Sequence, residues 1–171
     1  MSIFGALRRG IEQHKAEVAT KQSALREFAL ESNLGTPLED VVEFELTGIN
    51  HAHDGCYPQA LLKKRLIGLD VELKPEPKNK HDNYAIKVLC EGKYIGWLPA
   101  SEVRQKQKIL RRIERGIIIP SRVVDVYVTS IGEPTGKTDE DGWKIYETRY
   151  LKTAKVAVAI YALPKQRAKS K

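Results

Sequence analysis

Two short clusters of histidine and acidic residues contain the side chains best suited to chemistry. The first is the polar stretch from residue 50 to residue 57, with His51, His53, Asp54 and Cys56, and the second is His81-Asp82-Asn83. These side-chain types bind zinc, but the two clusters do not show the usual ligand spacing. We favour polar loops whose histidines are solvated or bind phosphate, and we expect no metal. A metal in the loop of His51, His53 and Cys56 is the alternative that the sequence leaves open.

The sequence contains no recognisable catalytic constellation. Asp54, Glu76 and Asp82 are carboxylates of the kind that nucleases use, but the lysine-bearing motif expected beside them is missing. Gly136-Lys137-Thr138 matches the end of a P-loop, but no glycine precedes it at the required spacing. We therefore expect a binding protein rather than an enzyme, with no cofactor.

Three predicted strands position the second cluster. Pro75, Pro77 and Asn79 make the segment before it a rigid loop. Residues 84–88 alternate as in a half-buried strand, and residues 94–98 form the returning strand after a turn at Gly92. Residue chemistry alone describes this segment as a hairpin with polar turns.

The same run resembles the signature of the HIRAN family, roughly L-x-x-E-P-x-N-x-x-D-x-x-A-I-x-V followed by x-I-G-[YHW]-L-P. The matching residues are Leu73, Glu76, Pro77, Asn79, Asp82, Ala85, Ile86, Val88, Ile95, Gly96, Trp97, Leu98 and Pro99. Upstream, residues 47–51 look like the family's opening strand, and Gln59 with Leu61-Leu62 looks like its first helix. The resemblance covers about residues 42 to 131, half of the chain.

The resemblance implies a small β-barrel, related in shape to OB-folds, that binds single-stranded DNA. In helicase-linked members it also grips the 3′ end. By position, Asn50 and His51 fall where those members line the DNA pocket. His81 falls where they usually carry an aromatic residue, Asp82 where a carboxylate accepts the terminal hydroxyl, and Trp97 in the aromatic or histidine position after the Ile-Gly pair.

Two positions depart from the end-binding members. Asn50-His51-Ala52 replaces an Arg-Tyr-Tyr-like run, which implies weaker base stacking, and position 75 is proline where a cation is common. These departures concern strict 3′-end recognition more than nucleic-acid binding.

The charge of the chain favours an acidic partner. Its 171 residues include 29 Lys and Arg against 22 Asp and Glu, a formal net charge of +7. Cys56 and Cys90 form neither a zinc-type pair nor a disulfide framework, which indicates a reducing compartment. We expect a cytoplasmic protein with no membrane partner, because no segment has the pattern of a membrane span or a signal peptide.

Cations are concentrated in two predicted helices, residues 58–66 and a second helix with Ser101 as its N-cap and Gly116 at its end. In the second helix, cations recur at i, i+4, i+7 and i+11 and so share one face. Such cations either form solvated faces or hold phosphates. The candidate nucleic-acid contacts are Asn50, His51, Lys63, Lys64, His81, Asp82, Trp97, Arg104, Lys108, Arg111 and Arg115.

The predicted fold is α+β and mainly β: a small OB-like or SH3-like β-barrel with two short helices in residues 36–163. An apolar seam predicts a helix in residues 1–35, which either packs on the barrel or mediates docking, and residues 164–171 form a basic tail. After a strand in residues 117–131, we expect a polar loop over 132–142 and a closing hairpin of residues 143–151 and 154–163.

The predicted function is a nucleic-acid-binding module for single-stranded DNA and its 3′ ends, acting in DNA repair, replication or processing. The alternative is a protein-interaction module whose N-terminal helix docks a separately encoded nuclease or helicase, or a second copy of the chain.

Overall fold

The computed structural model describes residues 27–28 and 36–163. Within these residues the strands are β1 (Leu38–Glu45), β2 (Val71–Pro75), β3 (Ile86–Cys90), β4 (Lys93–Trp97), β5 (Ser121–Thr138) and β6 (Lys144–Tyr161). The helical elements are α1 (Pro58–Leu61), a 3-10 turn (Lys64–Leu66) and α2 (Val103–Ile113). The prediction of a mainly β fold with two short helices is confirmed. The predicted basic tail and most of the predicted N-terminal helix lie outside the described residues.

The strands form two antiparallel sheets rather than the closed barrel that was predicted. One sheet has the order β1-β6-β5 and the other β2-β3-β4. Across residues 36–163 the sheet edges meet at two isolated bridges, Thr47 with Trp97 and Asp70 with Arg122. Strands β2 to β4 have five residues each, whereas β5 and β6 have 18. Because the short strands cannot follow the long ones, no continuous ladder closes the seams.

The core lies between the two sheets. Its buried side chains include Phe44 and Leu46, Ile86 and Val88, Ile109 of α2, and Val156, Val158 and Ile160 of β6. Strand β3 is buried along most of its length, so its pattern is not the half-exposed one expected from alternation. None of the helices in the described part of the chain is long and apolar enough to cross a bilayer.

Both predicted helices have different boundaries in the structure. The first breaks after Leu61, because Leu62 and Lys63 are extended, with ψ of 100° and 152°. The second has Glu102 rather than Ser101 at its N-cap, without a side-chain capping bond.

The C-terminal half of the domain is one long hairpin, which differs from the predicted loop and closing hairpin. The stretch Leu151-Lys152-Thr153-Ala154 contains no turn-forming residue, and β6 runs through it. The turn falls instead at Asp139–Gly142, where the Asp139 carboxylate accepts the backbone N–H groups of Asp141 (3.0 Å) and Trp143 (2.8 Å).

Phe28 covers part of the β1-β6-β5 sheet. It is buried against Ala157, Ala159 and Tyr161, and the guanidinium carbon of Arg122 lies 4.8 Å from its ring centroid. Residues 27–28 are helical, and this contact packs them against the sheet.

Candidate nucleic-acid interface

A small cavity opens beside Trp97, where β4 meets the chain that leaves β1. Its volume is about 210 Å³, and its lining residues are Thr47, Asn79, His81, Asp82, Ala85, Trp97, Leu98 and Ala100. The backbones of Thr47 and Trp97 exchange two hydrogen bonds, of 3.0 and 2.9 Å. The structure therefore brings together three of the predicted site residues: His81, Asp82 and Trp97.

Two glycines allow the chain to approach Trp97 closely. Gly48 has φ +67°, and a Cβ atom there would lie 2.5 Å from Cδ1 of Trp97. Gly96 has φ +153°, and its Cβ would lie 2.9 Å from Cβ of Leu46. Contacts this short exclude a side chain, so the glycines of the Thr-Gly and Ile-Gly-Trp sequences are required by packing.

The indole ring of Trp97 is supported by other rings. The His53 ring meets it edge-on with centroids 5.1 Å apart, and the Tyr94 ring is tilted against it at 5.7 Å. The Tyr94 hydroxyl donates a 3.0 Å hydrogen bond to the carbonyl of Gly48. Burial raises the pKa of Tyr94, so the hydroxyl keeps the proton that it donates. Trp97 is thus a half-buried, preoriented aromatic surface at the cavity wall.

The turn between β2 and β3 is shaped by its own side chains. The Asn79 amide oxygen accepts the backbone N–H groups of His81 (2.9 Å) and Asp82 (3.2 Å). The Asp82 carboxylate in turn accepts the N–H of Tyr84 at 2.9 Å. Asn and Asp favour turns through such local bonds. The turn leaves His81 exposed at the cavity rim.

A buried lysine forms an ion pair with the carboxylate of Asp82, which lines the cavity. Lys106 of α2 is fully buried, and its Nζ donates a 2.5 Å hydrogen bond to Oδ2 of Asp82, whose side chain is 17% exposed. A carboxylate has about four acceptor positions, so Asp82 retains acceptor capacity toward the cavity. Sequence reasoning missed Lys106. The available signal was its place on the inner face of the helix, three residues before Ile109.

A second buried lysine lies close to Trp97. Lys87 is 6% exposed. Its Nζ lies 2.5 Å from Oδ2 of Asp54, 3.0 Å from Nε2 of His53 and 5.9 Å from the Trp97 ring centroid. Glu76 completes the cluster, with Oε2 at 3.6 Å from His53 Nε2 and 3.9 Å from Lys87 Nζ. The hydrogen bond from Lys87 lowers the pKa of Asp54.

His53 and Asp54, from the loop that was considered for metal binding, therefore contact the Lys87 ammonium. In residues 27–28 and 36–163, no group of three or more His, Cys, Asp and Glu side chains is arranged to hold a metal ion. Sequence reasoning missed Lys87, because its place in an alternating strand suggested an exposed side chain.

The candidates Asn50 and His51 are not part of the cavity lining. His51 is exposed and Asn50 is half-buried, and both follow the isolated bridge between Thr47 and Trp97. The Gln59 side chain anchors this stretch by donating to the carbonyls of Ile49 (3.1 Å) and Lys152 (2.8 Å). Gln59 thus has a packing role next to the site.

The cationic candidates lie on other surfaces. Arg104, Arg111 and Arg115 are exposed, while Lys108 forms a 2.9 Å ion pair with Glu39. A helix turns about 100° per residue, so Arg104 and Lys108 lie roughly opposite Lys106 on α2. Arg111 lines a different pocket, of about 500 Å³, together with Pro75, Pro77, Asn83, Tyr84 and Ala85, next to the turn that carries His81. Arg115 follows the end of α2. Lys63 and Lys64 line a separate groove. The cations nearest in sequence to the cavity residues are Lys78 and Lys80, both exposed in the turn that carries His81.

Comparison with known proteins gives one similar structure. No family model matches the chain, and no curated protein matches it either. The crystal structure of the HIRAN domain of human HLTF has 14% sequence identity and a TM-score of 0.44, over 75% of this chain and 82% of that one.

Proposed function

We propose that the chain is a nucleic-acid-binding module that holds the end of a DNA single strand in the cavity beside Trp97. The supporting observation is the meeting of three groups on one cavity of about 210 Å³: a preoriented indole, an exposed imidazole and a carboxylate with acceptor capacity. Sites for drug-sized ligands usually measure about 300–1,000 Å³. A cavity below that range suits one terminal nucleoside rather than a longer segment.

Stacking on Trp97 is the expected main contribution to affinity. Base–aromatic stacking contributes about 1–3 kcal/mol per base and tolerates any sequence. The His53 and Tyr94 rings already fix the indole, so little side-chain freedom is lost on binding. We expect the exposed His81 ring, which lines the cavity from the turn, to cover the base.

Asp82 is the group that would distinguish a 3′-hydroxyl from a 3′-phosphate. A carboxylate accepts hydrogen bonds and donates none, so it can bind the proton of a terminal hydroxyl but no phosphate oxygen. Lys106 offsets much of its charge at 2.5 Å. Discrimination therefore depends on hydrogen-bond complementarity more than on long-range repulsion. The preference is expected to be moderate.

Competition anisotropy with a six-nucleotide dT strand tests this proposal. The strand with a 3′-hydroxyl should bind more tightly than the strand with a 3′-phosphate. Trp97→Leu should weaken both by roughly 5- to 150-fold, the equivalent of losing about 1–3 kcal/mol of stacking. Trp143→Leu is the matched control, because Trp143 lies in the exposed hairpin turn. Equal affinity for the two ends would overturn end reading, and an unaffected Trp97→Leu variant would overturn the cavity as the site.

A role in DNA repair, replication or processing would follow from such end binding. The alternative, docking of a nuclease, a helicase or a second copy through residues 1–35, concerns residues that lie largely outside the described part of the chain. Absence of binding to any oligonucleotide at low salt would favour that alternative.

A further inference from the structure

The hairpin of β5 and β6 extends beyond the sheet as a two-stranded ribbon. Strand β1 pairs with β6 as far as Lys155, opposite Glu45. Past Lys155, Leu46 donates its N–H to the Ala154 carbonyl, and the Gln59 side chain bonds the backbone of Lys152. From Leu151 to the turn, β6 pairs with β5, through pairs such as Ser130 with Tyr150 and Pro134 with Tyr146. Every residue of β6 from Lys144 to Tyr150 is exposed. Residues 144–150 of this two-stranded ribbon are therefore open to solvent.

The two faces of the ribbon differ in composition. Directly opposed residues share a face, so one face, here called the aromatic face, carries Val128, Ser130, Gly132, Pro134, Lys144, Tyr146, Thr148, Tyr150 and Lys152. Val128, Tyr146 and Tyr150 are 61%, 59% and 74% exposed. Large apolar side chains exposed together on one surface commonly mark a binding site.

Charge is segregated between the same two faces. The aromatic face contains two lysines and no carboxylate between residues 128–134 and 144–152. Glu133 and Glu147 both lie on the opposite face, where Glu133 forms a 2.8 Å ion pair with Arg149. A surface that combines aromatic rings with cations and excludes acids complements a polyanion with exposed bases.

The aromatic face continues into a basic groove at its base. This groove has a volume of about 560 Å³ and is lined by Leu62, Lys63, Lys64, Asp125, Val126, Tyr127, Val128 and Lys152. Its one carboxylate, Asp125, lies opposite Lys155 in the β5–β6 ladder. Lys63 and Lys64 are exposed. The groove thus adds cations where the ribbon joins the domain.

We infer that the aromatic face and this groove form a second nucleic-acid surface, which binds the interior of a single strand by stacking bases on Tyr146 and Tyr150. The rise of a strand, about 3.4 Å per residue, places these tyrosines about 14 Å apart. The Tyr146 ring lies over Gly132, where a Cβ would meet its Cδ1 at an ordinary contact distance of 3.6 Å. Lys63, Lys64 and Lys152 neutralise phosphates at the base of the ribbon. The surface uses none of the cavity residues, so it and the proposed end site can fail separately.

Single strands of dT with 6 and 20 nucleotides test the inference by fluorescence anisotropy on the full chain. The variant Tyr146→Thr/Tyr150→Thr removes both rings but keeps strand-forming residues. It should bind the 20-mer at least about tenfold more weakly and the 6-mer unchanged. Tyr146→Phe/Tyr150→Phe should retain the wild-type affinity, because stacking needs the ring and not the hydroxyl. Ile145→Ala, on the opposite face, is the matched control.

Unchanged 20-mer binding by the Thr variant would overturn the inference, as would equal losses for both lengths. Equal binding of a 20-base-pair duplex and the single strand would also overturn it, because paired bases cannot stack on the tyrosines. If sedimentation shows a dimer that the Thr variant dissociates, the face binds a second copy and the inference is wrong. Loss of 6-mer binding in Trp97→Leu with the ribbon effect retained would support the ribbon independently of the cavity.

Discussion

The Nζ atom of Lys106 lies 2.5 Å from Oδ2 of Asp82, and the lysine has no exposed surface. The pair joins α2 to the turn between β2 and β3, across 24 residues of sequence. Removing one partner of a buried ion pair leaves an uncompensated charge, which costs more than the pair itself contributes. Asp82 is therefore expected to affect both folding and ligand recognition, and the two effects must be separated.

Asp82→Asn should destabilise the fold by about 3–5 kcal/mol, because it leaves the Lys106 ammonium buried without a counter-charge. The double variant Asp82→Asn/Lys106→Met should recover most of that stability but not the preference for a 3′-hydroxyl. Urea unfolding and the end-competition assay measure the two properties. Asp70→Asn is the control, since its 2.9 Å pair with Arg122 involves a carboxylate that is 76% exposed. It should change stability by about 1 kcal/mol at most. A single Asp82→Asn variant as stable as wild type would contradict the buried pair.

Gly48→Ala should displace the Trp97 indole and weaken oligonucleotide binding. Its Cβ would lie 2.5 Å from Cδ1 of Trp97, whereas a Cβ at Gly55 would meet nothing within 4 Å. Both glycines have positive φ, +67° and +73°, so Gly55→Ala carries the same backbone strain without the clash. In a Trp143→Phe background, Trp97 is the remaining tryptophan and its fluorescence reports its surroundings. Equal effects of the two alanines on fluorescence and affinity would show that Gly48 is needed for its backbone alone.

The local part of the site was predictable from the sequence. The Asn79, His81 and Asp82 turn is made by hydrogen bonds between residues two or three positions apart, which a motif records directly. Trp97 follows on the next hairpin, so its approach to the turn needs only short connections. Lys106 reaches Asp82 from a helix whose docking depends on the whole core, and no local pattern shows this.

The long-range parts of the fold account for the remaining differences. Lys87 is at a position of β3 that an alternating pattern assigns to the exposed face of the strand. Trp97 and His53 cover that face, so both faces of β3 are buried. The closed barrel was expected from the family resemblance. How the two sheets meet depends instead on how far β5 and β6 extend past β2 and β4. The length of β5 was underestimated, because Gly132 and Pro134 predicted a loop where the strand continues.

Stability should fall in acid partly through Glu39. Its hydrogen bond from Lys108, assisted by Arg112 at 2.6 Å, lowers its pKa from the ordinary 4.5. A lowered carboxyl pKa stabilises the fold above the unfolded-state value and is lost as the pH falls through the folded-state value. The loss should therefore occur below about pH 4.5 and, for a carboxylate that is 39% exposed, amount to about 1 kcal/mol or less.

Glu39→Gln tests that assignment in urea unfolding at pH 7 and at several values below 4.5. The variant should be less stable than wild type at pH 7, and the difference should narrow on acidification. A difference that stays constant across this range would show that Glu39 acts by packing rather than by charge.

The salt dependence of 6-mer binding should depend on Lys78 and Lys80 and not on the basic face of α2. The two lysines belong to the turn that carries His81, whereas Arg104 of α2 and Arg115, just after the end of α2, lie at helical positions roughly opposite Lys106. Each phosphate neutralised on a single strand contributes about 0.7 to the slope of log affinity against log salt. Lys78→Gln/Lys80→Gln should therefore flatten that slope by about 1.4 if both contact phosphates. Arg104→Gln/Arg115→Gln removes the same net charge and should leave the slope unchanged, so a general charge effect is controlled. The reverse result would place the strand along α2, as the spacing of Arg104, Lys108, Arg111 and Arg115 in the sequence suggests.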